Sequence, residues 1–126
     1  AQNRSPVTIA GLENGTTYAV ALRAVNGVGA GATSPVVSAT PMTVPTSPTT
    51  LAATPGDGQI SIAFTAGDDG GSAVTNHEYS LDNGATWQAF DPPVPTSPVT
   101  VSGLANAVNH AVTLRARNSV GVSPPS

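Results

Sequence analysis

The stretch Ser5-Pro-Val-Thr-Ile-Ala-Gly-Leu12 recurs as Ser97-Pro-Val-Thr-Val-Ser-Gly-Leu104, 92 positions further along the chain (97 − 5 = 92). The same offset continues without a gap to Gly29 and Gly121. Chance does not keep one register over such a length, so the chain contains an internal structural repeat.

Inside the repeat, apolar and polar residues alternate with a period of two, which is typical of a β-strand with one buried face. In the first copy Tyr18, Val20, Leu22 and Ala24 are predicted to point inward. In the second copy the predicted inward residues are His110, Val112, Leu114 and Ala116, with Arg115 and Arg117 facing water. Two further inward sets are Ile60, Ile62 and Phe64, and His77, Tyr79 and Leu81.

Turn residues separate these runs. Asn83-Gly84 suits a type I′ hairpin turn, and Pro55-Gly-Asp-Gly58 marks a second turn. No window favours a helix, so we predict an all-β fold. Its strands are expected near Leu51, Ile60, Val74–Leu81, Trp87, Val99 and Val112.

Composition excludes several classes of partner. Charged residues make up only 9% of the chain, lysine is absent and the net charge is −3, so no basic patch is expected for nucleic acid. No apolar run reaches the ~20 residues that would insert into a membrane. Cysteine is absent, which leaves no disulfide and no thiolate metal site. A surface rich in Thr, Ser, Asn and Gly favours an extracellular or cell-surface location.

The chain resembles tandem fibronectin type III domains of bacterial extracellular proteins. The spacing from Leu12 to Tyr18 resembles the tyrosine corner of that family, and Leu22–Asn26 followed by Gly29 resembles its strand F and the turn into strand G. Residues 55–64 resemble its A–B turn and strand B. The resemblance implies an immunoglobulin-like β-sandwich.

The same resemblance implies a domain organisation. Residues 1–42 correspond to strands E, F and G of one repeat, residues 43–48 to a proline-rich linker, and residues 49–126 to a second repeat that lacks its last strand. Two accounts of this organisation remain open. The chain is either part of a longer array or a subunit that shares strands with a neighbouring chain.

We expect no catalytic, cofactor or metal site. The resemblance places His77 and His110 at opposite ends of a sheet, so they are not expected to share a metal. Four residues are weak ligand candidates. Trp87 and Tyr79 offer a sugar-stacking surface, although packing across the hairpin is favoured. Asp68 and Asp69 offer calcium ligands, although turn formation is favoured.

Three functions are compatible with these features, and none of them is enzymatic. The leading hypothesis is a structural spacer or adhesin repeat of a secreted or surface protein. The alternatives are an accessory module of a polysaccharide-degrading enzyme and a subunit of an extracellular filament or phage appendage. The expected partners are neighbouring repeats of the same chain or of other subunits, and glycans or cell-surface proteins.

The second copy of the repeat carries His110 where the first carries Tyr18. Histidine is smaller and more polar than the corner tyrosine, so we predict that His110→Tyr raises the unfolding midpoint of residues 43–126. A thermal melt measures this directly, and an unchanged or lower midpoint would contradict it.

Overall fold

A computed structural model describes residues 3–126 and confirms the predicted all-β fold, with no helix in that part of the chain. The chain divides into two compact units, Ala1–Met42 and Thr43–Ser126.

The second unit is built from two three-stranded antiparallel sheets. Their strands are β3 Thr49–Gly56, β4 Gln59–Thr65, β5 Asn76–Ser80, β6 Gln88–Ala89, β7 Val99–Ser102 and β8 Thr113–Arg117. One sheet has the order β3–β4–β7 and the other has the order β6–β5–β8. Each predicted strand is present close to its expected position.

The core of the second unit follows the predicted alternation. Its buried members are Ile62 and Phe64 on β4, Val99 and Val101 on β7, Leu114 on β8, and Phe90 after β6. Leu81 is an exception, since it is 40% exposed. The strand ends one residue earlier, at Ser80, where the chain enters the hairpin turn, so the alternation no longer applies to Leu81.

Both predicted turns form. Asp57-Gly58 joins β3 to β4, with Gly56 paired to Gln59 on either side of it. In the other turn Asn83 and Gly84 have φ values of 57° and 88°, and the Ala85 amide donates to the Asp82 carbonyl. Two consecutive positive φ angles are the signature of a type I′ turn.

Residues 43–48, expected to form a linker, instead belong to the second unit. Pro45 and Pro48 are among its most deeply buried residues. The Thr43 amide donates to the Gly70 carbonyl at 2.8 Å and the Thr46 amide to the Asp68 carbonyl at 2.9 Å. A prediction from proline content alone does not reveal these hydrogen bonds, because they join residues more than twenty positions apart.

The second unit also differs from the expectation that its last strand is lacking. Beyond β8 the chain turns back, and Val122 forms an antiparallel bridge with Arg117. The Ser123 amide donates to the Ala116 carbonyl and the Ser126 amide to the Leu114 carbonyl, each at 2.8 Å. Residues 122–126 therefore lie along the free edge of β8, as the start of a further strand would.

The first unit contains β1, Tyr18–Val20, paired with β2, Val37–Ala39. Val7 is 44% exposed, whereas its repeat equivalent Val99 is 1% exposed. Leu22 is 49% exposed, and its equivalent Leu114 is 0% exposed. The local sequence is nearly the same, so the difference arises from β3, β4 and β5, which have no counterpart among residues 3–42.

The tyrosine corner implied by the family resemblance is present in the first unit. The Glu13 amide donates to the Tyr18 hydroxyl at 3.1 Å. In the second unit His110 Nε2 lies 3.3 Å from the carbonyl of Ala105, the equivalent of Glu13. The histidine thus occupies the corner but contacts the carbonyl and not the amide, so it makes a different bond.

The repeat provides a matched pair for a stability test. We expect Leu114→Ala to lower the free energy of unfolding by about 2–5 kcal/mol, because it leaves a cavity in a closed core. Leu22→Ala changes the equivalent, half-exposed leucine and should cost roughly 1 kcal/mol or less. Urea denaturation followed by circular dichroism measures both, and equal losses would contradict the contrast in burial.

Candidate functional site

The two aromatic ligand candidates lie on opposite faces of one hairpin. Tyr79 packs against the core, with its ring 5.0 Å from that of Phe90, and its hydroxyl donates to Gln88 at 2.7 Å. Trp87 lies on the outer face, where the guanidinium carbon of Arg115 is 4.3 Å from the centre of its ring. The hairpin therefore does not present these two rings as one sugar-stacking surface.

The two calcium candidates serve their own loop. The Asp68 carboxylate accepts from the Gly70 amide at 2.7 Å, and the Asp69 carboxylate accepts from the Gly71 amide at 2.9 Å. These are Asx turns, in which a carboxylate fixes the backbone two residues further on. No group of three or more metal-ligating side chains occurs within residues 3–126.

The two histidines each contact the backbone. His77 is buried, its Nδ1 lies 2.8 Å from the Val94 carbonyl and its ring is 4.7 Å from that of Phe64. A ring nitrogen facing a carbonyl must carry the proton, so His77 Nδ1 is a donor here. His110 contacts the Ala105 carbonyl as described above. Each of these contacts joins a histidine ring to a backbone carbonyl of the second unit.

The outer face of the β6–β5–β8 sheet carries a charged cluster that the sequence did not single out. Glu78 on β5 lies opposite Arg115 on β8, and Arg117 is the next residue on the same side. Arg115 Nε and Nη2 both approach Glu78 Oε2, at 2.6 and 2.5 Å. Arg117 Nε and Nη2 approach Glu78 Oε1 at 2.9 and 2.7 Å. We call Glu78, Arg115, Arg117 and Trp87 the Glu78 cluster.

Burial and charge act in opposite directions on Glu78, whose side chain is only 7% exposed. Burial raises the pKa of this carboxyl, but the hydrogen bonds from Arg117 and Arg115, together with their charges, outweigh it. The net effect lowers the pKa below 4.5. Glu78 is therefore ionised at neutral pH and is held as a structural ion, which makes it a poor proton acceptor in general acid–base chemistry.

Trp87 completes the cluster. Its Nε1 donates to the Gly84 carbonyl at 3.1 Å, which ties the ring to the β5–β6 turn. Arg115 lies between this ring and Glu78, so one guanidinium makes both a cation–π contact and an ion pair. Alternation places Glu78 of β5 and Arg115 and Arg117 of β8 on the outer face of the sheet. This alternation would have predicted the cluster if the pairing of β5 with β8 had been known.

The hairpin turn holds a second ordered carboxylate. Asp82 accepts from the Thr86 hydroxyl at 2.5 Å, from the Ser80 hydroxyl at 2.7 Å and from the Thr86 amide at 2.8 Å. These bonds, the Thr86 and Ser80 hydroxyls foremost, lower the pKa of Asp82 to about 2. Asp82 thus shapes the turn formed by Asn83 and Gly84.

One shallow groove of about 290 Å³ lies at the end of the second unit where β3 turns into β4. The loop from Leu104 to His110 forms its other wall. Asn106, in that loop, accepts from the Gly58 amide at 2.7 Å and donates to Asp57 at 2.8 Å. The polar groups near this groove thus connect the two loops to each other.

This geometry is that of an immunoglobulin-like β-sandwich of the fibronectin type III kind, and solved structures share the fold. The rat CD45 extracellular region matches with 14% identity over 100% of this chain and 68% of its own, at a TM-score of 0.65. Chicken CNTN1 FN1–FN3 domains match with 21% identity over 91% of this chain and 41% of theirs, at 0.53. Domains from titin match with 22% identity over 73% and 34%, at 0.55.

A structure of titin kinase and its flanking domains also matches, with 24% identity over 66% of this chain, at a TM-score of 0.53. The chain spans 16% of that structure and 34% of the other titin structure. No family model and no curated protein sequence matches the chain. At these identities the likeness shows the fold. Within residues 3–126, no helix is long and apolar enough to cross a membrane.

The Glu78 cluster predicts a specific dependence of stability on pH. At pH 7 we expect Glu78→Gln to lower the free energy of unfolding by about 1–3 kcal/mol, since charge-assisted hydrogen bonds are lost. The folded-state pKa lies below 4.5, so the contribution is complete above pH 4.5 and disappears as the pH falls through the folded-state value. The gap between wild type and variant should therefore narrow in acid.

Urea denaturation at pH 7 and at several values below pH 4.5 measures this gap. Glu13→Gln removes an exposed carboxylate in the first unit and serves as the control, with an expected change within about 0.5 kcal/mol. A gap that stays constant or widens in acid would show that the Glu78 charge does not stabilise the fold.

Proposed function

We propose that this chain is a non-catalytic structural repeat that acts as a spacer in a secreted or cell-surface protein of a bacterium. The observation that carries the proposal is a hydrogen-bond framework that occurs twice. Leu22 and Leu114 each donate their amide to a serine hydroxyl, Ser34 and Ser126, at 2.9 and 3.0 Å. A chain that repeats such a framework repeats a building unit, which is the organisation of an array.

The turn that precedes these serines repeats as closely. Asn26 accepts from the amides of Val28 and Gly29, and Asn118 accepts from those of Val120 and Gly121. The bridge between Val25 and Ala30 has its counterpart between Arg117 and Val122. The same polar side chains therefore shape the same turn in both units, and this use of conspicuous polar residues supports a structural role.

Composition supports the proposed location. The absence of cysteine and lysine leaves a surface of small polar residues, which suits an extracellular protein that does not rely on disulfides. Two of the structures that share the fold are the extracellular region of rat CD45 and FN domains of chicken CNTN1. Glycan binding as an accessory module receives less support, because Arg115 already lies over one face of the Trp87 ring.

A replacement experiment in the native polypeptide tests the spacer role. We expect the activity of that protein to survive when residues 43–126 are replaced by an unrelated β-sandwich of similar length, because a spacer contributes distance. Deletion of the same residues should reduce activity. Loss of activity on replacement would mean that a specific surface of this unit binds a partner, which favours an adhesin.

A further inference from the structure

The hairpin turn between β5 and β6 places an exposed asparagine directly before a glycine, Asn83-Gly84. The backbone nitrogen of a glycine can attack the side-chain carbonyl carbon of the preceding asparagine, because glycine has no Cβ to obstruct the approach. The Asn83 side chain makes no hydrogen bond within residues 3–126. Neither packing nor a partner group therefore shields this carboxamide from attack or from water.

The attacking nitrogen, in contrast, is held in place. The Gly84 amide donates to the Ser80 hydroxyl oxygen at 2.8 Å, and the Gly84 carbonyl accepts from Trp87 Nε1 at 3.1 Å. Ser80 is 1% exposed, so its hydroxyl lies out of reach of solvent. The Gly84 nitrogen can lose its proton to solvent, and so become a nucleophile, only after its bond to Ser80 opens.

We propose that Asn83 is a site of spontaneous deamidation whose rate is controlled by the Ser80 hydroxyl. In the first step the Gly84 nitrogen gives up its proton and bonds to Asn83 Cγ. The bond from Cγ to Nδ2 breaks, and the side-chain nitrogen takes up a proton and leaves as ammonia. In the second step one water molecule opens the cyclic imide. Opening at Cγ produces aspartate, and opening at the main-chain carbonyl carbon produces isoaspartate.

Isoaspartate at this position would alter the turn next to the Glu78 cluster. It adds one carbon atom to the main chain between residues 83 and 84, whereas a two-residue type I′ turn matches its flanking strands only at its ordinary length. Gly84 accepts the hydrogen bond from Trp87, and the Trp87 ring contacts Arg115. The modification therefore loosens the connection between the hairpin turn and the Glu78 cluster.

Peptide mapping tests the control by Ser80. The folded wild-type chain and Ser80→Ala are incubated in mildly alkaline buffer, and chymotrypsin then releases residues 80–87, in which Asn83 is the only asparagine. Mass spectrometry and chromatography measure the aspartate and isoaspartate forms of this peptide. We expect Ser80→Ala to convert residue 83 about fivefold faster, the factor that one hydrogen bond of ordinary strength contributes.

Three further variants separate local control from a general loss of stability. Ser61→Ala removes a serine hydroxyl from β4 and should convert Asn83 at the wild-type rate. Leu114→Ala weakens the whole second unit without touching the turn, and it should accelerate conversion less than Ser80→Ala does. Trp87→Phe removes the donor to the Gly84 carbonyl and should also accelerate conversion, so the test remains possible if Ser80→Ala does not fold.

Three results would overturn the proposal: equal conversion in wild type and Ser80→Ala, equal acceleration by Leu114→Ala, or no product at residue 83 in either chain. The structural consequence has its own readout, because Trp87 is the only tryptophan. We expect the isoaspartate fraction to show a shifted tryptophan emission. Asn83→Asp adds the charge without the extra atom and should keep the wild-type spectrum. A wild-type spectrum in the isoaspartate fraction would contradict the loosening of the turn.

Discussion

The structure depends on one packing relation, in which β4 and β5 close over the inner side chains of β7 and β8. Ile62, Val99 and Leu114 are each at most 2% exposed, so little room separates the two sheets. Burial of this apolar surface is the main favourable term in folding. In the first unit the same side-chain types are present without a covering strand pair, and Val7 and Leu22 remain accessible. Local sequence therefore supplies the strand-forming pattern, but the core requires the partner strands.

Polar groups reinforce this packing. On the outer face, Glu78 joins β5 to β8 through Arg115 and Arg117, and Trp87 extends the contact to the hairpin turn. At the ends of the sheets, Asp68 and Asp82 fix loops by accepting backbone amides. Each of these carboxylates accepts hydrogen bonds from nearby donors, so its charge holds loops and strands in position. That use of charge is compatible with the proposed spacer role.

Sequence reasoning predicted most of the fold because alternation and turns are local signals. The strands around Ile60 and Val99 and the type I′ turn at Asn83-Gly84 all follow from neighbouring residues. The assignment of residues 43–48 to a linker did not hold, because their bonds reach Gly70 and Asp68 across the chain. The strand segment at residues 122–126 was missed, although Ser126 repeats Ser34 at the same offset.

The candidate site was harder to predict because it also depends on which strands pair and in which register. Trp87 and Tyr79 are close along the chain but lie on opposite faces of the hairpin. Only the register of the β5–β6 pair reveals this difference. The Glu78 cluster depends on pairing between β5 and β8, strands more than thirty residues apart. Composition drew attention to rare residues such as tryptophan, whereas the arginines that contact Glu78 were assigned simply to a water-facing side.

Amide hydrogen exchange at Leu22 and Leu114 tests most directly whether partner strands, and not local sequence, create the core. Both amides donate to a serine hydroxyl at nearly the same distance, 2.9 and 3.0 Å, so the bond itself does not separate them. The account predicts that the Leu114 amide exchanges slower by orders of magnitude, because its release requires unfolding of the second unit. Similar rates at the two leucines would contradict it and would mean that the repeated segment is stable without β4 and β5.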